Sequence, residues 1–156
     1  MKSPTIKGSF RERAIPLSPD YRPLYKIGLI VLILDIACRG NKSSLNKLHL
    51  LIWALKSETN MAYVRMAFIM KDTSKIISWA VEPALNKALK YAVAEGLITM
   101  YEDKYQLTEK GVSFGKKLKK DSEILTREKL FLTYIGKQKV TEDFINKLTE
   151  QQHDKN

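Results

Sequence analysis

Apolar residues fall along this chain in a helical rhythm, interrupted by a few short β-like runs. From Leu24 to Ile36 almost every position is apolar, with Leu24, Ile27, every residue from Leu29 to Leu34, and Ile36. Proline suits the first turn of a helix and glycine its end, so the pattern predicts a helix from Arg22-Pro23 to Gly40. A helix with no polar face is either the central helix of a core or lies in an interface with another chain. This one carries more apolar surface than a domain of this size readily covers, which predicts a sizeable hydrophobic interface.

Arg39-Gly40-Asn41-Lys42-Ser43 reads as the stop and turn. Ser43 or Ser44 then caps a second helix to about Lys56, with Leu45, Leu48, Leu51, Ile52 and Leu55 on one face. A third helix is predicted over Asn60–Lys71, with Met61, Val64, Phe68 and Ile69 inward. The β-branched and aromatic run Ile76–Val81, which contains Trp79, suits a short strand. Glu82-Pro83 opens a helix that ends at Gly96, striped by Leu85, Ala88, Leu89, Ala92 and Val93. The runs Leu97–Tyr101 and Lys104–Leu107 flank Glu102-Asp103 as a β-hairpin, and Thr108 caps a helix through about Lys120. Two more helices are predicted near 123–136 and 141–152, the second capped by Thr141 ahead of Phe144, Ile145 and Leu148. Residues 1–20, with Pro4, Pro16 and Pro19 among polar residues, read as an extended arm. Phe10, Ile15 and Leu17 equip that arm to dock on a partner or on the chain's own core.

The order strand, helix, Gly, strand, tight turn, strand, helix over residues 76–120 is the winged-helix plan. Ala94-Glu95-Gly96-Leu97-Ile98, followed by Tyr105-Gln106-Leu107-Thr108-Glu109-Lys110-Gly111, is its usual wording. Gly96 permits the left-handed C-cap that turns a helix into the wing strand, and Leu97 and Leu107 anchor the hairpin. The expected fold is mainly α with a small β-hairpin wing. A winged helix-turn-helix core (76–120) follows N-terminal helices that pack on it (21–75) and precedes C-terminal helices (121–152).

At 156 residues the chain has the size of one domain, and its 44% hydrophobic and 28% charged residues are ordinary for a globular protein. The single cysteine, Cys38, excludes an internal disulfide framework. The run Ile27–Leu34 is far short of the roughly 20 residues that cross a bilayer, and the N-terminus does not read as a signal peptide. The expectation is a soluble cytoplasmic protein with no membrane contact.

The formal charge of +10 changes the picture most. It gathers in residues 1–26 and 104–139, including the cluster Lys116, Lys117, Lys119 and Lys120, while the last sixteen residues are net acidic. Such a surface attracts double-stranded DNA without regard to sequence; a merely solubilising charged face is the competing reading. In a DNA-binding winged helix, the helix before the wing enters the major groove. Here that helix offers Asn86, Lys87 and Lys90 outward, and the wing tip offers Glu102 and Asp103 with only Lys104 to compensate. No Arg or Gln suited to base edges stands on the helix, so sequence-specific reading is disfavoured.

Wider wording carries a resemblance. The segments Arg22-Pro23-Leu24-Tyr25-Lys26-Ile27, Arg39-Gly40-Asn41-Lys42-Ser43-Ser44, Leu48-His49-Leu50-Leu51-Ile52-Trp53-Ala54-Leu55 and Pro83 to Leu97 stand in that order. Together they resemble the middle components of bacterial ABC-three-component systems, as in Lamassu-type antiphage defence, over roughly residues 21–150. That resemblance implies a non-catalytic subunit bridging an SMC- or Rad50-like ATPase and an effector such as a nuclease. Leu24, Tyr25, Trp53 and Trp79 are the candidate partner contacts, because tryptophan and tyrosine dominate interface hot spots. The alternative is a free-standing winged-helix transcriptional regulator.

Catalysis was weighed on one string. Gly111-Val112-Ser113-Phe114-Gly115 fits the G-x-S-x-G nucleophile elbow, which needs a strand before it and a distant acid and histidine. Only His49, in an apolar helix, and His153, in the polar tail, exist. A helical serine between glycines is the reading that fits, and His49 reads as a structural histidine. One cysteine and two distant histidines give no metal ligand set, and no phosphate-binding glycine motif appears, so no cofactor is expected.

Overall fold

The structure is a computed structural model and describes residues 23–76 and 83–155. The elements are α1 (Pro23–Ala37), β1 (Lys42–Ser43), α2 (Leu45–Ala54), α3 (Glu58–Ile69) and α4 (Pro83–Ala94). They continue as β2 (Ile98–Tyr101), β3 (Lys104–Leu107), α5 (Glu109–Lys120), α6 (Thr126–Ile135) and α7 (Glu142–Lys155). The described residues are mainly helical, with one small antiparallel sheet in the order β1-β3-β2. The arm 1–20, Trp79 and all but Ile76 of the expected strand lie outside the described residues.

Helix α1 organises the rest. It packs against α4, α5 and α6 and also meets α2. Ile27 and every residue from Leu29 to Leu34 are buried. A helix flanked by neighbours on all sides needs no polar face, which accounts for its sequence. The expectation that its apolar surface exceeds what the chain can cover is therefore corrected. The chain's own helices cover it, and each such side chain contributes about 1.5–3 kcal/mol on burial.

Local signals set the helix starts. Ser44 Oγ accepts from Lys47 N (3.2 Å), Ser57 Oγ from Asn60 N (3.0 Å) and Thr141 Oγ1 from Phe144 N (3.0 Å). Ser57 thereby begins α3 two residues ahead of the predicted Asn60. Two inward assignments need correction. Phe68 stacks on Phe144 with ring centroids 5.1 Å apart, and Val64 and Ala67 share its side of α3. Ile69 falls about 100° further round and is 70% exposed. On α4, Val93 sits at the margin of the stripe and is 44% exposed.

Lys42 and Ser43, expected to be turn, instead form β1, pairing Lys42 with Gln106 and Ser43 with Tyr105. The hairpin has the expected register, from Ile98 opposite Leu107 to Tyr101 opposite Lys104. The strands are short, so β3 lies in the middle and β2 forms an edge.

Candidate functional site

The junction of α4 with the hairpin is built from the backbone outward. Gly96 has φ 78°, in the left-handed region where a side chain is disfavoured. Leu97 N donates to the Ala92 carbonyl and Gly96 N to the Val93 carbonyl, both at 3.0 Å, which is the paired C-cap of a Schellman motif. Thr108 closes the hairpin base by donating from N and Oγ1 to the Leu97 carbonyl (3.0 and 3.2 Å). Its Oγ1 also accepts from Gly111 N (3.0 Å), capping α5. One threonine thus ties the end of α4, both strands and α5 together.

On this frame α4 buries Leu85, Ala88, Leu89 and Ala92 and exposes Asn86, Lys87 and Lys90. Lys104 is half-buried beside the turn, whose Glu102 has φ 57°. Lys116, Lys117, Lys119 and Lys120 are exposed on α5, yet they are not equivalent. Lys119 pairs with the largely covered Asp35 of α1 at 2.9 Å. The other exposed groups on the hairpin and α4 are apolar: Met100 (53%) and Tyr101 (63%) on β2, and Tyr91 (44%) on α4.

The elbow-like string has a packing explanation. A Cβ on Gly111 would collide with the Leu97 carbonyl oxygen, and one on Gly115 would come within 2.9 Å of Asp35 Oδ2 and 3.3 Å of Val31 Cγ1. The two glycines bring α5 close to the hairpin base and to α1. Ser113 is exposed inside α5, with no preceding strand turn to present it. His49 is buried on α2.

The candidate partner residues scatter. Tyr25 is half-buried, and its hydroxyl donates to the buried Glu128 (3.2 Å), which also pairs with Arg127 (3.2 Å). Trp53 is half-buried against the core. Leu24 behaves differently, because it joins a groove that the sequence did not reveal. Leu24 and Ile27 of α1, Tyr91 of α4, Leu97 and Phe114 of α5 form an apolar lining, walled by Lys110, Ser113 and Lys117. Its volume is about 700 Å³, within the range of ligand-binding clefts. Lys110 Nζ donates to the Glu95 carbonyl (2.7 Å) and closes one end. Tyr91 and Phe114 do carry one sequence signal: they are aromatics standing outside their helices' buried stripes. A second hollow of about 480 Å³ lies along α3 and α7, edged by Phe68, Lys71, Lys139 and Lys147.

No family model, curated protein or solved structure matches this chain. Its chemistry must be read from the side chains themselves. Among the described residues no group of three or more His, Cys, Asp or Glu could hold a metal, and no helix is long and apolar enough to cross a membrane. Cys38 is buried, and desolvation pushes its thiol above the ordinary range.

Proposed function

We propose that this chain is a non-catalytic winged-helix adaptor, whose hairpin and groove meet another protein. On this reading α1, β1, α2, α4 and the β2–β3 hairpin make the winged-helix core, with β1 as the third strand of its sheet. The observation that carries the protein-docking role is the character of the exposed groups. Around the hairpin they are Tyr91, Met100 and Tyr101, with two carboxylates at the turn. A wing for DNA would instead present cations to phosphates and donors to base edges. Aromatic and methionine side chains are what protein interfaces concentrate.

The resemblance to middle components of ABC-three-component systems supplies the partners. In that setting the chain bridges an SMC- or Rad50-like ATPase and an effector in antiphage defence. Any contact with double-stranded DNA would be non-specific, through lysines such as Lys116, Lys117 and Lys120. The test is co-expression with an SMC-like ATPase encoded beside it. A complex should persist through size exclusion and be lost in Met100→Glu/Tyr101→Glu, a pair on exposed positions that leaves folding intact. Absence of a complex, together with a footprint at one defined operator that survives moderate salt, would replace the adaptor with a transcriptional regulator.

A further inference from the structure

The groove of α1, α4 and α5 has both an apolar floor and a signed rim. Its α5 wall carries Lys110, Ser113 and Lys117 at helical spacings of three and four, so they share one face. Its α4 wall carries Tyr91 and Glu95. Lys87 is exposed one turn before Tyr91 on that same face. Lys110 is spent on the Glu95 carbonyl at the closed end, so the open end is bordered by Lys87 and Lys117. The chain's own arm is a poor electrostatic match for that rim. Residues 1–22 contain Lys2, Lys7, Arg11, Arg13 and Arg22 against Glu12 and Asp20.

We infer that this groove takes an acidic amphipathic helix from a partner protein, its apolar stripe on Leu24, Tyr91, Leu97 and Phe114 and its carboxylates toward Lys87 and Lys117. An apolar trough flanked by cations is the complement of a helix whose apolar face is bordered by Glu or Asp. The inference rests on the adaptor reading only in assigning the helix to a partner. The groove's preference is a property of the isolated chain.

The probe is a displayed library of random peptides long enough for about four helical turns, selected on the full chain without any ATPase. Selection should return sequences with Leu or aromatic residues at helical spacing beside Glu or Asp. A synthetic winner should lose binding to Ser113→Trp, which fills the groove from an exposed position. It should bind Lys87→Glu/Lys117→Glu about tenfold more weakly at low salt, with the difference shrinking as salt is raised. Thermal melts by circular dichroism show whether each variant is folded, and the exposed lysine pair serves if Ser113→Trp is not. Winners that are apolar but uncharged or basic, or that ignore both variants, overturn the inference. So does selection that succeeds only in Phe10→Ala/Ile15→Ala/Leu17→Ala, which would make the arm the occupant. A dimer that Ser113→Trp makes monomeric would make it a second copy. None of these results depends on the ATPase complex, so the groove and the adaptor role can fail separately.

Discussion

An alanine at Gly111 would thrust its Cβ into the Leu97 carbonyl oxygen and to 2.9 Å from Leu107 Cδ2. The obstacle is backbone, so rotation of a side chain cannot relieve it. Leu97 O must move, and it is the acceptor for both Thr108 N and Thr108 Oγ1. Overpacking costs about 1–3 kcal/mol, with a backbone collision toward the upper end. Disturbing the Thr108 cap adds about 1 kcal/mol. Alanine's helix propensity returns up to about 1 kcal/mol, less in a first turn. A net loss of about 3 kcal/mol follows, or roughly 6–12 °C in Tm for a domain of this size. Gly115→Ala is the internal control. Its Cβ meets the end of the Asp35 side chain at 2.9 Å and Val31 Cγ1 at 3.3 Å. Asp35 can yield by loosening its pair with Lys119, and the mid-helix propensity gain offsets that, so the change should be within about 1 kcal/mol of zero.

Urea denaturation followed by far-ultraviolet circular dichroism measures both, with Ser113→Ala as a third variant. Ser113→Ala should change stability by less than about 0.5 kcal/mol, as exposed sites do. A Gly111→Ala protein as stable as the parent would show that α5 does not approach the hairpin base as described. The packing account of the glycine pair would then fall.

Leu89→Ala should cost about 2–5 kcal/mol and Lys87→Ala/Lys90→Ala no more than about 0.5 kcal/mol by the same melts; equal losses would mean α4 faces the other way. Cys38 should resist a disulfide-exchange reagent in the native protein and react on unfolding, and rapid native labelling would contradict its burial. Because burial raises the folded thiol's pKa, its contribution to stability is complete below the unfolded pKa of about 9 and is lost as pH rises toward the folded value. Cys38→Ala should flatten that alkaline decline, and an unchanged decline would locate it elsewhere. Glu102→Gly should stabilise by about 0.5–1 kcal/mol, since φ 57° suits glycine, and a destabilised variant would refute that turn geometry.

Features written within one stretch of chain were legible in the sequence. The caps at Ser44, Thr108 and Thr141, the left-handed Gly96 and the hairpin register depend on residues a few positions apart. Strand β1 was not legible, because two residues cannot display a period of two. Ile69 and Val93 were misplaced because a hydrophobic residue at the edge of a stripe looks the same in sequence whether or not a neighbour covers it. The groove was beyond reach for a different reason. Leu24, Tyr91 and Phe114 are separated by dozens of residues, and only the packing of α4 and α5 on α1 unites them.

The net charge also changes meaning once the lysines are located. Lys47 Nζ donates to the Ala37 carbonyl (2.9 Å), and Lys137 Nζ to the carbonyls of Asp35 and Cys38 (2.9 Å each). Both therefore sit where α1 runs out of internal hydrogen-bond partners. Lys129 does the same for α5 at Leu118 (2.8 Å) and Asp121, and Lys110 for α4 at Glu95 (2.7 Å). Helix C-termini carry partial negative charge and unsatisfied carbonyls, so these lysines serve the fold itself. Lys119, tied to Asp35, adds a fifth that is already engaged. A net charge of +10 thus overstates the cationic surface open to phosphates. What stays outward on α4 and α5 borders an apolar groove instead of forming one continuous stripe, and that arrangement favours a protein with acidic flanks over a nucleic-acid backbone.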